Sequence, residues 1–109
     1  MELRDIPFET TDWTSLPPTE HAGTTGSATW RTLQRGPIRI RMVEYSPGYA
    51  ADHWCEKGHI LLCLSGSLHT ELADGRRFVL TPGMSYQVAD HDAPHRSSAP
   101  DGARLFIVD

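Results

Sequence analysis

From Arg35 onward turn-forming residues cut the chain into short pieces, and this punctuation constrains its fold more than any other feature. Arg35-Gly36-Pro37, Ser46-Pro47-Gly48, Ser65-Gly66, Asp74-Gly75, Thr81-Pro82-Gly83 and Pro100-Asp101-Gly102 all mark places where the backbone turns. Between them, Ile38 to Tyr45 alternates, with Ile38, Ile40 and Met42 on one face and Arg39 and Arg41 on the other, which is the period of a strand. Ala28 to Gln34, His59 to Leu64, Ser67 to Leu72, Arg77 to Leu80, Met84 to Val88, His95 to Ser98 and Arg104 to Val108 read as further strands, and Asp74-Gly75 as a hairpin turn. Short strands at this spacing, without a convincing helix, predict an all-β jelly roll. At 109 residues the chain is one domain, long enough for a single core without staples.

Residues 1–28 differ in character. They are rich in Thr, Pro and Gly, with Pro17-Pro18 and the run GTTGS, and read as an extended arm ahead of a barrel domain spanning 29–109. Ile6, Phe8, Trp13 and Leu16 give the arm apolar side chains that need cover, on its own barrel or on a second subunit. With the open edges of a sandwich, this predicts a homodimer. The first residues, MELRDIPFETTDW, carry acids and no apolar stretch of the secretory kind, and no segment approaches the roughly 18 apolar residues of a membrane span. The expectation is a cytoplasmic protein whose two cysteines stay reduced unless bound to metal. A formal charge of −4 provides no basic footprint, which argues against nucleic acid and anionic membranes as partners.

The chemistry concentrates in GYAADHWCEKGHILLCLSG, Gly48 to Gly66. His53, Cys55 and His59 are three soft-to-intermediate donors within seven residues, a set that suits zinc, iron or copper. If the segment is extended, His53 and Cys55 share a face while Asp52 and Trp54 take the other. A reversal at Lys57-Gly58, with Gly58 free to take a positive φ, would bring His59 round to the same interior. His95 is the best candidate for a fourth donor. A set of three histidines and one thiolate suits zinc first and iron(II) second, and argues against magnesium, calcium and manganese.

These residues resemble the first motif of cupins, in which a glycine precedes a His-x-His pair, a glutamate follows, and a second glycine closes the motif. Gly48 matches the opening glycine, His53 the first histidine, Cys55 the second, His59 the glutamate and Gly66 the closing glycine. Two usual ligand types are therefore exchanged. The second cupin motif resembles TPGMSYQVADHDAPH, with Pro82, Gly83 and His95, Ala89 standing where a proline is common. The run Asp-His-Trp-Cys is similar to that of the small cupins known by a DHCW motif. The resemblance covers about residues 38 to 109. It implies a cupin-type jelly-roll β-barrel with a metal site formed by His53, Cys55, His59 and His95, and a small molecule bound inside.

Two functions follow from such a site: a metal-dependent enzyme of isomerase, lyase or dioxygenase type, or a non-catalytic module that binds a ligand or is braced by a closed metal site. Four protein ligands favour the module, and an open position favours the enzyme. Cys63 shares alternation with His59 and Leu61 and reads as an apolar lining residue, the rival being a Cys55–Cys63 disulfide. His69 and Glu71 read as the polar face of a strand whose other face is Leu68, Thr70 and Leu72, and His91 as a solvated loop residue. Tyr45, Tyr86 and Trp30 are candidates for the wall of a pocket.

Overall fold

A computed structural model describes residues 2–109. The strands are β1 (Thr19–Ala22), β2 (Ser27–Arg35), β3 (Ile38–Tyr45), β4 (Tyr49–Ala50), β5 (His59–Gly66), β6 (Leu68–Leu72), β7 (Arg77–Leu80), β8 (Ser85–Val88), β9 (His95–Ala99) and β10 (Ala103–Val108). They pair antiparallel into two sheets, one in the order β1-β2-β3-β10-β5-β8 and the other β4-β9-β6-β7. The sheets face each other without merging into one hydrogen-bonded barrel. At one corner an isolated bridge between Thr25 and Ala50 laces them, and a second, between Cys55 and His95, ties the loop after β4 to β9.

Alternation decides which residues fill the space between. Leu61 and Cys63 of β5, Leu68 of β6, Leu80 of β7 and Leu105 and Ile107 of β10 are at most 3% exposed and form the core with Val43, Ala99 and Ala103. Between Arg104 and Leu105 the pairing of β10 with β5 slips by one residue, so Leu64 has no partner and lies exposed while Cys63 stays sealed inside. Where β5 ends, Gly66 has a φ of 72° and a Cβ there would meet the Gly102 carbonyl oxygen at 2.2 Å, so only glycine fits.

The strands expected from the punctuation are present, but β3 is inside out. Its arginine row, Arg39 and Arg41, faces the interior with Val43 and Tyr45, whereas Ile38, Ile40 and Met42 face outward and are half-buried. The interior tolerates the guanidinium groups because they are matched. Asp109, beyond β10, takes two bonds from Arg39 (2.8 and 3.0 Å) and one from Arg41 (3.0 Å), and Arg41 also lies 4.3 Å from the Trp30 ring centre.

Parts of the segment ahead of β2 lie along this outer face, Ile6 beside Ile38 and Trp13 beside Met42, and the segment is more ordered than its composition predicts. A single 3-10 turn, Trp13–Ser15, is capped by the Asp12 side chain, and β1 extends the larger sheet. Trp13 packs edge-on against Phe106, 6.2 Å between ring centres, and Arg31 reaches across to the carbonyl oxygens of Trp13, Thr14 and Leu16. Glu9 and Arg35 form a paired bridge at 2.6 and 2.9 Å. The segment thus lies on its own sheet, although Phe8 and Leu3 remain exposed.

Candidate metal centre

Three of the four sequence-derived donors converge. Ligand atoms of Cys55, His59 and His95 all lie within 4.8 Å of one another. Each arrives by a different route. His59 opens β5 with its side chain on the inward face shared by Leu61 and Cys63. His95 opens β9 and is 3% exposed. Cys55 stands opposite His95 in a two-way backbone pair, Cys55 N to His95 O at 2.6 Å and His95 N to Cys55 O at 3.0 Å, which sets the thiol beside the imidazole.

His53 stands outside this group. The expectation that alternation carries His53 and Cys55 to one face requires a continuous strand, and β4 ends at Ala50; residues 51–58 form a loop that makes a bridge with β9 again at Cys55. His53 is exposed and its Nδ1 lies 2.6 Å from Asp52 Oδ1. The role foreseen for Gly58 also changes. Its φ is ordinary, and its value is the lack of a side chain: a Cβ would meet Asp90 N at 2.6 Å, Ala89 C at 2.8 Å and Val88 O at 2.9 Å. Gly58 N donates to Asp90 Oδ1 at 2.6 Å, fixing the loop against the segment that leads to His95.

The histidines are held by their Nδ1 atoms, leaving Nε2 for the shared space. His95 Nδ1 lies 2.8 Å from the Ala93 carbonyl and donates to it. His59 Nδ1 faces Asp109 Oδ2 at 3.6 Å, just beyond a hydrogen bond, and is buried with no other partner. With Nδ1 protonated in both rings, the tautomer these acceptors select, the two Nε2 lone pairs face each other at 2.9 Å. Lone pairs at that distance repel unless a proton or a metal cation lies between them. Together with a thiol, this donor set fits a divalent transition metal, and carboxylate–histidine support of the kind Asp109 offers is a usual accompaniment of such sites.

The charges around the cluster couple the protonation of its members. The hydrogen bond with His95 draws the Cys55 thiol below its ordinary pKa against the opposing effect of burial, and raises that of His95 in return. Burial works to raise the Asp109 carboxyl, but the nearby His59 imidazole, the bonds from Arg39 and the charges of Arg41 and Arg39 outweigh it and hold the group far below the usual carboxylate range. Burial pushes Tyr86 well above the ordinary range, so its hydroxyl, 3.0 Å from His59 Nε2, remains a proton donor. Asp109 and the inward arginines are the participants that sequence reading misses. Their signal is the alternation of β10, which puts Asp109 on the face of Leu105 and Ile107.

Other candidates stay apart. Cys63 is fully buried, its thiol pKa raised by burial, and both cysteines are free. Glu71 bridges to Arg96 (3.5 Å) and Arg77 (3.8 Å) on the outer face of β6, and His91 is an exposed loop residue with a φ of 59°. Trp54 packs against Arg96, whose guanidinium lies 4.4 Å from the ring centre.

No protein-family model and no curated protein sequence matches the chain. Solved structures do. The polyketide cyclase RemF from Streptomyces resistomycificus superposes with a TM-score of 0.77 at 21% identity, over 94% of this chain and 78% of that one. Ectoine synthase from P. lautus gives 0.72 at 19%, over 93% and 76%. Fe(II)-HppE, solved with an alternative substrate, gives 0.77 at 18%, over 94% of this chain and 60% of the other. All three are cupin-fold proteins. The chain has the cupin fold. In this fold the two motif regions meet where the resemblance places a metal: Cys55 and His59 come from the first and His95 from the second. At these identities the likeness is one of fold, and the reaction has to be argued from the site.

Proposed function

We propose that this protein is a small jelly-roll cupin in which Cys55, His59 and His95 hold a divalent transition metal, zinc first and iron(II) second, beside a small-molecule site. The observation that carries the reading is the convergence of three donors within 4.8 Å, with the two Nε2 atoms 2.9 Å apart. Iron in one fold neighbour, Fe(II)-HppE, supports the second choice of metal. When bound, zinc supplies a Lewis acid, and iron adds dioxygen chemistry.

The chain's own residues supply the rest. Asp109 orients His59, the Ala93 carbonyl orients His95, and Tyr86 presents a buried hydroxyl to the same space. With His53 outside, the protein provides three donors and leaves room for a ligand, which favours a small-molecule enzyme of isomerase, lyase or dioxygenase type over a closed structural site. Free cysteines support a reducing, cytoplasmic setting, and no helix among the described residues is long and apolar enough to cross a membrane. The exposed Phe8 and Leu3 support the homodimer, which sedimentation at micromolar concentration tests.

Elemental analysis of protein purified without added metal is the direct test. Near-stoichiometric zinc or iron that falls in Cys55→Ser, His59→Ala and His95→Ala supports the proposal. Metal content unaffected by all three substitutions sinks it.

A further inference from the structure

We propose that the cavity beside His95 binds a small neutral molecule with a mostly apolar body and one hydrogen-bonding group, and that Thr70 recognises that group. The inference deepens the metal-site reading and rests on it for what lies at the His95 end. The cavity, about 350 Å³, opens where β6 and β7 of one sheet face β8 of the other, with Tyr86 and His95 in its wall. That volume falls in the range of small-molecule sites and holds a molecule on the order of ten non-hydrogen atoms.

The lining sets the chemistry. Leu72, Phe78, Leu80, Met84 and Val88 make it largely apolar. Among the described residues that line it there is no lysine or arginine, and Asp92, its one carboxylate, is solvent-exposed. Away from a metal at the His95 end, a carboxylate or phosphate would shed its water against apolar walls with no side-chain cation to receive it. The arginines of β3 do not line the cavity.

Thr70 decides between a pure hydrocarbon and a functionalised one. It sits on the inward face of β6 between Leu68 and Leu72, only 4% exposed, and its Oγ1 has no hydrogen-bond partner. A buried hydroxyl with nothing to bond is costly, and an aliphatic side chain would serve packing better there. A ligand carbonyl or hydroxyl in the cavity removes the deficit, whereas a hydrocarbon leaves it.

Three probes of one shape separate the possibilities: 4-methylacetophenone, neutral with one carbonyl; 4-methylbenzoate, its anionic counterpart; and p-cymene, which has no polar group. Each is titrated into the protein as purified and after treatment with a chelator, following backbone amide shifts. The expected result is that the ketone shifts amides of β6, β7 and β8 and binds about tenfold more tightly than either other probe to the chelated protein, where no metal can capture the carboxylate. Thr70→Val should erase the preference of ketone over p-cymene while leaving p-cymene binding in place, and Thr70→Ser should restore it. Benzoate binding as tight as the ketone's, a preference that survives Thr70→Val, or shifts confined to other strands would overturn the proposal. So would β7 and β8 amides that move with protein concentration and not with ketone, since a second copy of the chain would then cover the mouth. Metal content of the same samples is read separately, so loss of the cavity proposal and loss of the metal proposal are distinguishable.

Discussion

His59 and Asp109 face each other across the end of two adjacent strands, Nδ1 to Oδ2 at 3.6 Å, and this contact joins the donor cluster to the buried Arg39–Asp109–Arg41 group. The carboxylate serves both: it faces the Nδ1 of a metal-site histidine and neutralises guanidinium groups inside the sandwich. Asp109→Asn keeps the shape and removes the charge. We predict a drop in metal affinity of roughly 10–100-fold, the usual effect of losing an outer partner of a ligand, and a loss of about 3 kcal/mol of stability from the uncompensated arginines. Chelator competition and urea unfolding measure the two separately. Unchanged metal affinity would mean that His59 is oriented by packing alone.

Cys55 departs from the usual cupin ligand pattern, so its substitution is the most informative at the cluster. Cys55→Ser should reduce metal affinity by more than the Asp109 change does, because a hydroxyl is a far weaker donor than a thiolate. Cys63→Ser and His53→Ala should leave metal content nearly unchanged, the first residue being sealed in the core and the second exposed beside Asp52. A cobalt-substituted protein should show a thiolate charge-transfer band that Cys55→Ser lacks. Retention of both band and metal in that variant would assign Cys55 to packing.

Acid acts on the protein in two windows. Metal affinity should fall as the pH drops through the raised pKa of His95, because the proton it takes up competes with the ion. In the metal-free protein the relevant group is Asp109, whose folded-state pKa lies below its unfolded value. Its contribution to stability is fully present above about pH 4 and is lost as the pH falls through the depressed folded value. Urea midpoints measured across that range should decline towards acid in the parent protein and decline less in Asp109→Asn.

Gly58 offers a backbone test of the same site. A Cβ at this position meets three backbone atoms of the segment 88–90 at under 3.0 Å, and backbone cannot swing aside as a flexible side chain can. Gly58→Ala should therefore cost about 1–3 kcal/mol and loosen metal binding, because the loop it displaces connects Cys55 to His59. Equal metal affinity in this variant would show that the Cys55–His95 backbone pair alone fixes the thiol.

Most of the strand plan was legible because turns are local. Ser46-Pro47-Gly48 and Asp74-Gly75 require no tertiary information to reverse the chain. The grouping of Cys55, His59 and His95 was legible from donor chemistry and motif spacing. The exclusion of His53 was not, since it depends on where β4 stops, and β4 is held by pairing with β9 rather than by its own residues. β1 was missed for a related reason: Thr19 to Ala22 is a strand only because β2 offers it an edge. The orientation of β3 was hidden more deeply. Alternation shows two faces without saying which is inside, and the partners that allow an inward arginine row, Asp109 and Trp30, are far away in sequence.

That inverted strand has a consequence for how the protein tolerates variation. On an ordinary half-buried strand the aliphatic row is intolerant and the charged row permissive. Along β3 the order should reverse, because Arg41 is 6% exposed and committed to Asp109, whereas Ile40 is half-buried on the outward face. A saturation library scored for folding would then find Arg41 nearly invariant and Ile40 open to threonine, valine and other strand-compatible residues. A profile built on hydrophobicity would rank the two positions the wrong way round.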